Sequence, residues 1–168
     1  MLNSEICDRL VLGTAQLGQK YGVCNKTGMP EREEILAIFQ ALIAAGGRWV
    51  DTARAYGDSE WLVGQALAGF SKSNVCVVTK LDPLNFLNEN TSAEAVRSAV
   101  KRSVHLSCES LKINTLPVLL LHRWEHRQIC GGVVWRTLAD LKEEGKIKKL
   151  GASVYNPEQA LEALEDRQ

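Results

Sequence analysis

The run Val75-Cys76-Val77-Val78-Thr79 is apolar or β-branched at every position and never alternates with charge, the pattern of a strand covered on both faces. Strands of this kind belong to parallel sheets, whose crossover connections lay helices against them. Residues 10–14, 49–52, 116–121 and 150–153 read as four more short strands. Pro117 is tolerable because it falls near a strand start, where a backbone donor is not needed.

Helical segments separate the strands. Pro30 opens the first, Glu31, Glu33 and Glu34 favour its positive end, Ile35, Ile38, Phe39, Leu42 and Ile43 recur at helical spacing, and Gly46-Gly47 ends it. Asp58 or Ser59 can cap a second helix with Leu62, Ala66 and Leu67 inward. Thr91-x-x-Glu94 is a capping box ahead of Val96, Val100 and Val104, predicting a helix to about residue 111. The loop 123–132 leads to a helix burying Val134, Leu138 and Leu141, with Gly145 as its C-cap. Asn156 caps a last helix that begins at Pro157. Strand and helix thus alternate five times, which predicts an α/β fold with a parallel sheet and right-handed crossovers.

Composition narrows the partners. With 168 residues, 45% apolar, and 20 basic against 20 acidic side chains in no like-charged run, the chain fits one globular core and offers no nucleic-acid or anionic-membrane surface. The apolar runs are too short to span a bilayer, and Met1-Leu2-Asn3-Ser4-Glu5 lacks the regions of a signal peptide, so a cytoplasmic location is expected. Cys7, Cys24, Cys76, Cys108 and Cys130 are scattered and odd in number, reading as reduced, small, semi-apolar residues.

Candidate chemistry gathers where strands end. Asp51 closes the run Arg48-Trp49-Val50, and Tyr56 follows within reach of the same strand end. Lys80 ends the strand over 75–79, and His122 ends that over 116–121. In parallel α/β folds the carboxyl ends of strands are where sites form, so Asp51, Tyr56, Lys80 and His122 are expected to converge at one rim. Taken singly, each residue has an ordinary structural reading: a cap or ion-pair partner, a half-buried aromatic, a surface charge, a hydrogen-bonded histidine. Trp124 and His126 lie in a loop that could line a pocket or simply cover the surface. His122 and His126 have the spacing of a metal pair on a helix, but a strand running into a loop does not give that geometry, and no metal is expected.

Asp51-Thr52-Ala53-x-x-Tyr56-Gly57-x-Ser59-Glu60, the strand-end Lys80 and His122, and Gly145-Lys146-Ile147 ahead of Leu150-Gly151-Ala152-Ser153 together resemble the aldo-keto reductases. The likeness covers about residues 10 to 165. It implies a (β/α)8 TIM-barrel type fold, with residues 1–168 as one partial barrel domain: strands 1 to 5 and their helices, truncated after about five β/α units of a fold that typically takes about 250 residues. It also implies NADP(H)-dependent reduction of an aldehyde or ketone. Tyr56 would be the general acid; an unperturbed phenol holds its proton too tightly near neutrality, a neighbouring ammonium such as Lys80 favours the phenolate, and Asp51 would hold that ammonium. His122 would orient the substrate carbonyl. Gly13, Thr14, Asp51 and Ser153 would contact the cofactor's nicotinamide end. Val154 stands where the family often has asparagine, and Asn156 is accounted for as a cap.

Two rival readings follow from the same residues. One is a non-catalytic fragment or binding module derived from such an enzyme, self-associating through open sheet edges. The other is a barrel lyase forming a Schiff base at Lys80, which leaves Asp51 and Tyr56 without an evident role.

Overall fold

The computed structural model describes residues 10–70, 75–88 and 90–165. The readings made on residues 1–5, Cys7 and Gln168 lie outside these. Five parallel strands form one sheet in the order β1-β2-β3-β4-β5: β1 Val11–Gly13, β2 Trp49–Asp51, β3 Cys76–Lys80, β4 Leu116–Leu121 and β5 Ile147–Ala152. The helices between and after them are α1 Ala15–Gly18, α2 Arg32–Ala44, α3 Ser59–Ala68, α4 Ala93–Leu111, α5 Ile129–Glu143 and α6 Pro157–Glu165. Sequential strand order with every pair parallel is the arrangement of successive right-handed crossovers, as the alternation of segments predicts.

The two faces of the sheet differ. Val50, Val77, Thr79, Leu119 and Leu121 are buried and, by the alternation of side chains along a strand, share the face covered by helices. Their partners in the core include Phe39 of α2, Val63 and Ala66 of α3, Val96, Val100 and Val104 of α4, and Val134 and Leu138 of α5. The opposite face carries Gly13, Asp51, Val78, Val118 and Lys149 in one register row, with Lys80, Leu120 and Gly151 one step further up. Val78, Val118 and Leu120 there are only half-buried.

Several local details depart from the sequence reading. The cap of α4 is Ser92, whose hydroxyl accepts from the Ala95 backbone N–H at 3.2 Å, rather than Thr91; Thr91 instead closes a turn with Asn88. Asp58 precedes α3 without a side-chain cap bond. Strand β5 begins at Ile147, because Lys148 and Lys149, exposed at the sheet's open edge, hide its start from a pattern search. The loop expected over 123–132 holds a 3-10 turn at Trp124–Arg127 and a left-handed stretch at Cys130, Gly131 and Gly132. Asn156 caps α6 as expected, accepting from the Gln159 N–H at 2.8 Å. Among the described residues no helix is long and apolar enough to cross a membrane, and Cys24, Cys76, Cys108 and Cys130 are free thiols.

Candidate active site

β2, β3 and β4 deliver Asp51, Lys80 and His122 to the same face at their carboxyl ends, because the parallel register and the two-residue period allow no other placement. Lys80 directs its ammonium at both carboxylate oxygens of Asp51, at 2.7 and 2.8 Å, and at the Thr52 carbonyl at 3.0 Å. All three of its N–H donors are therefore committed. Lys80 is 7% exposed; at that depth a cation is tolerable only with a paired anion and satisfied donors.

The Lys80 ammonium lies 5.0 Å from the centre of the Tyr56 ring. The loop from Thr52 to Asp58 brings Tyr56 back over the strand ends, and it is fixed by backbone bonds from Thr52 N–H to the Val78 carbonyl, Arg54 N–H to the Lys80 carbonyl and Tyr56 N–H to the Ala53 carbonyl. His122 meets Tyr56 edge-on, with ring centres 6.3 Å apart at 79°. Burial pushes the His122 imidazole below its ordinary pKa, and the charges of Lys80 and Arg123 push the same way; the Leu81 backbone and the Asp82 carboxylate oppose them. The ring is thus neutral near pH 7, and its Nδ1 is buried without a partner.

The expected cofactor contacts fall into two groups. Gly13 sits in the Asp51 row, and a Cβ built on it would meet nothing within 4 Å. Ser153 is half-exposed at the end of β5, its N–H bonded to the Leu121 carbonyl and its position open to the rim. Thr14 is different. It is fully buried, its hydroxyl donates to the Asp51 carbonyl at 2.8 Å and lies 2.8 Å from the Ser59 hydroxyl, which also reaches Thr52 at 3.0 Å. The Thr14 side chain therefore locks the loop, and only the backbone at Gly13-Thr14 remains to face a ligand.

Of the two readings offered for Trp124 and His126, burial overturns the surface cover, whereas Trp124 does line a cavity, together with Arg127, Trp135 and Leu150. Trp124 is 8% exposed, donates its indole N–H to Glu162 at 2.8 Å and carries Arg127 over its ring, so it ties the 3-10 turn to α6. His126 is 5% exposed with its Nδ1 unpartnered. Among the described residues no cluster suited to a metal occurs.

A second polar cluster escaped the sequence reading. Glu60 is buried on the helix side of the sheet, paired with Arg54 and accepting from the Thr79 hydroxyl. Its signals were weak but present: a threonine inside an otherwise apolar strand, and a carboxylate leading into an apolar helix.

A carboxylate, an ammonium, a phenol and an imidazole thus meet at the carboxyl ends of successive parallel strands, where proteins of the α/β barrel type gather their polar groups. The chain belongs to the aldo/keto reductase family, whose model matches residues 9–168. It is 33% identical over 151 residues to D-arabinose 1-dehydrogenase of Saccharomyces cerevisiae, an alignment that takes in 87% of this chain and 42% of the yeast protein. Its fold superposes on the crystal structure of an aldo-keto reductase from Pseudomonas aeruginosa with a TM-score of 0.73 and 29% identity, covering 93% of this chain and 59% of the other. An aldo/keto reductase from Klebsiella pneumoniae, solved in complex with NADP and acetate, matches with a TM-score of 0.66 and 25% identity over 92% of this chain and 49% of its own. The chain thus spans about two fifths to three fifths of the length of these relatives.

Proposed function

We propose that this chain carries the proton-transfer half of an aldo-keto reductase site that reduces an aldehyde or ketone with NADP(H). The observation that carries the reading is the stack of Asp51, Lys80 and Tyr56: an ammonium held at 2.7 Å by a carboxylate and set 5.0 Å beneath a phenol ring. NADP(H), when bound, supplies the hydride that adds to the carbonyl carbon. Gly13, with open space where a side chain would stand, and the half-exposed Ser153 are the residues that would meet its nicotinamide end, and a relative from Klebsiella pneumoniae was solved in complex with NADP.

The chain's own residues then do the following. Tyr56 gives its phenolic proton to the carbonyl oxygen as negative charge develops there. Lys80 stabilises the phenolate left behind, a charge that exists only after proton transfer begins, so this interaction favours the transition state over the bound substrate. Asp51 keeps the ammonium in place. His122, neutral through burial, forms the other wall of the rim and orients the carbonyl without a competing charge.

The Schiff-base reading of Lys80 has less support, since an amine whose donors are all directed at Asp51 and Thr52 has no lone pair free to add to a carbonyl. A binding module remains as a second reading, favoured by one observation: Val78, Val118 and Leu120 on the rim-bearing face are half-exposed in a chain that spans 42% of its yeast relative.

The test is NADPH-dependent reduction of a small aldehyde by the full chain and its Tyr56→Phe variant. Turnover is expected to fall by at least about 100-fold on loss of the general acid. Equal turnover in the two would remove Tyr56 from the chemistry, and absence of both turnover and NADPH binding in the unaltered chain would favour the binding module.

A further inference from the structure

We infer that Glu60 is a positioning residue that fixes Lys80 and Tyr56 relative to each other from behind the sheet; the inference rests on the reading of those two residues as the tuning and reacting groups. Glu60 stands in the first turn of α3 and is 1% exposed. Its Oε1 accepts from the Thr79 hydroxyl at 2.6 Å. Its Oε2 is paired with the Arg54 guanidinium, which also reaches the Ser110 hydroxyl at 3.3 Å. A Cβ on Gly64 would strike the Ser110 carbonyl, so α3 and α4 touch there and bring Ser110 within range of Arg54.

The sequence positions of these partners give the cluster its meaning. Thr79 is the residue before Lys80 on β3, and Arg54 lies two residues before Tyr56 in the loop. Thr79 points to the helix side and Lys80 to the rim, because neighbours on a strand face opposite ways. One buried carboxylate therefore ties the strand that holds the ammonium to the loop that holds the phenol. Glu60 touches neither the rim nor anything bound in it.

A buried carboxylate is costly to hold and returns that cost only when its geometry is satisfied throughout. Apolar side chains could fill the same volume at equal or better stability, but they would not fix the loop to the strand at one distance. The Arg54 backbone N–H also bonds the Lys80 carbonyl, at 3.3 Å. The Glu60 clamp adds to this backbone tie a side-chain tie made from the helix side of the sheet.

Glu60→Gln keeps the shape of the side chain and removes its charge. Thr79→Val keeps the β-branched strand residue and cuts the link on the strand side alone, so it is decisive should the glutamine variant fail to fold. Both are examined in the full chain by NMR, following the Overhauser contact between the Tyr56 ring and the Lys80 ε-methylene, with far-UV circular dichroism as the check on folding. The expected result is loss or marked weakening of that contact in folded protein. In the reductase assay kcat is expected to drop by about 100-fold, the scale of a misplacement near 1 Å, with KM little changed. An unaltered Overhauser contact in either folded variant overturns the inference. If the contact is lost in Glu60→Gln while Tyr56→Phe turns over like the unaltered chain, the positioning stands and the catalytic reading falls, so the two fail separately.

Discussion

Gly57 and Gly18 meet backbone to backbone: a Cβ on Gly57 would run into the Gly18 carbonyl oxygen, and one on Gly18 would run into the Tyr56 carbonyl oxygen. Gly57 also has φ of 56°, in the left-handed region that side chains resist. The turn after Tyr56 is thereby keyed into the end of α1, so the loop following β1 helps set the position of the phenol.

This contact makes the first prediction. Gly18→Ala introduces the steric clash alone, and Gly57→Ala adds the backbone strain of the left-handed region. Each should destabilise the fold on the order of 3 kcal/mol, with Gly57→Ala the worse of the two. Urea denaturation followed by circular dichroism measures both. Midpoints equal to that of the unaltered chain would mean that the loops part more easily than their packing implies.

The second prediction concerns Lys80. Lys80→Met leaves Asp51 without its cation and takes from Tyr56 the charge that would stabilise the phenolate. Turnover in the aldehyde assay should fall by at least about 100-fold. Lys80→Arg should not restore it, because a planar guanidinium cannot reproduce an ammonium that meets Asp51 and Thr52 at once from beneath the ring. Recovery by arginine would show that charge alone, without geometry, suffices.

Much of this rim was legible in the residues because parallel strands leave little freedom. Once β2, β3 and β4 are recognised from their apolar runs, register places Asp51, Lys80 and His122 on one face. What stayed hidden depends on contacts between distant segments. The Thr14 hydroxyl bonds Ser59 and the Asp51 carbonyl, partners 45 and 37 residues away that no local pattern points to. The left-handed run at Cys130, Gly131 and Gly132 was marked only by two adjacent glycines, which are equally at home in an ordinary loop. Glu60 was visible in the motif, yet its bond to Thr79 appears only when α3 packs on β3.

The third prediction is a pH dependence. Burial lowers the pKa of both His122 and His126; around His126 the charge of Arg123 adds to the lowering, while Glu125 and Asp82 oppose it. In the unfolded chain these rings take up protons near pH 6.5. The native state binds fewer protons than the unfolded state in that window, so stability is complete above about pH 6.5 and declines as the pH falls through the lower native values. The melting temperature should therefore drop between pH 7.5 and 5.5, and His126→Gln should flatten the slope. A slope unchanged by that substitution would exclude His126 as a contributor.

The last prediction concerns the open face and edges of the sheet. β1 and β5 each pair with one neighbour only among the described residues, so each leaves a row of backbone groups free for another strand. Val11 on β1 is 54% exposed, and Val78, Val118 and Leu120 are half-exposed on the face opposite the helices. Lys148 and Lys149 guard the edge at β5, charges of the kind that discourage edge pairing, whereas β1 carries only Val11-Leu12-Gly13. We predict that a polypeptide of these 168 residues self-associates through β1 and the adjoining apolar face, eluting in gel filtration well above its 18.6 kDa. Val11→Lys places a charge on that edge at an exposed position, so it should shift the population toward monomer without lowering the melting temperature by more than about 0.5 kcal/mol would. A monomeric elution of the unaltered chain at micromolar concentration would show that the half-exposed face is too small or too polar to draw a second copy.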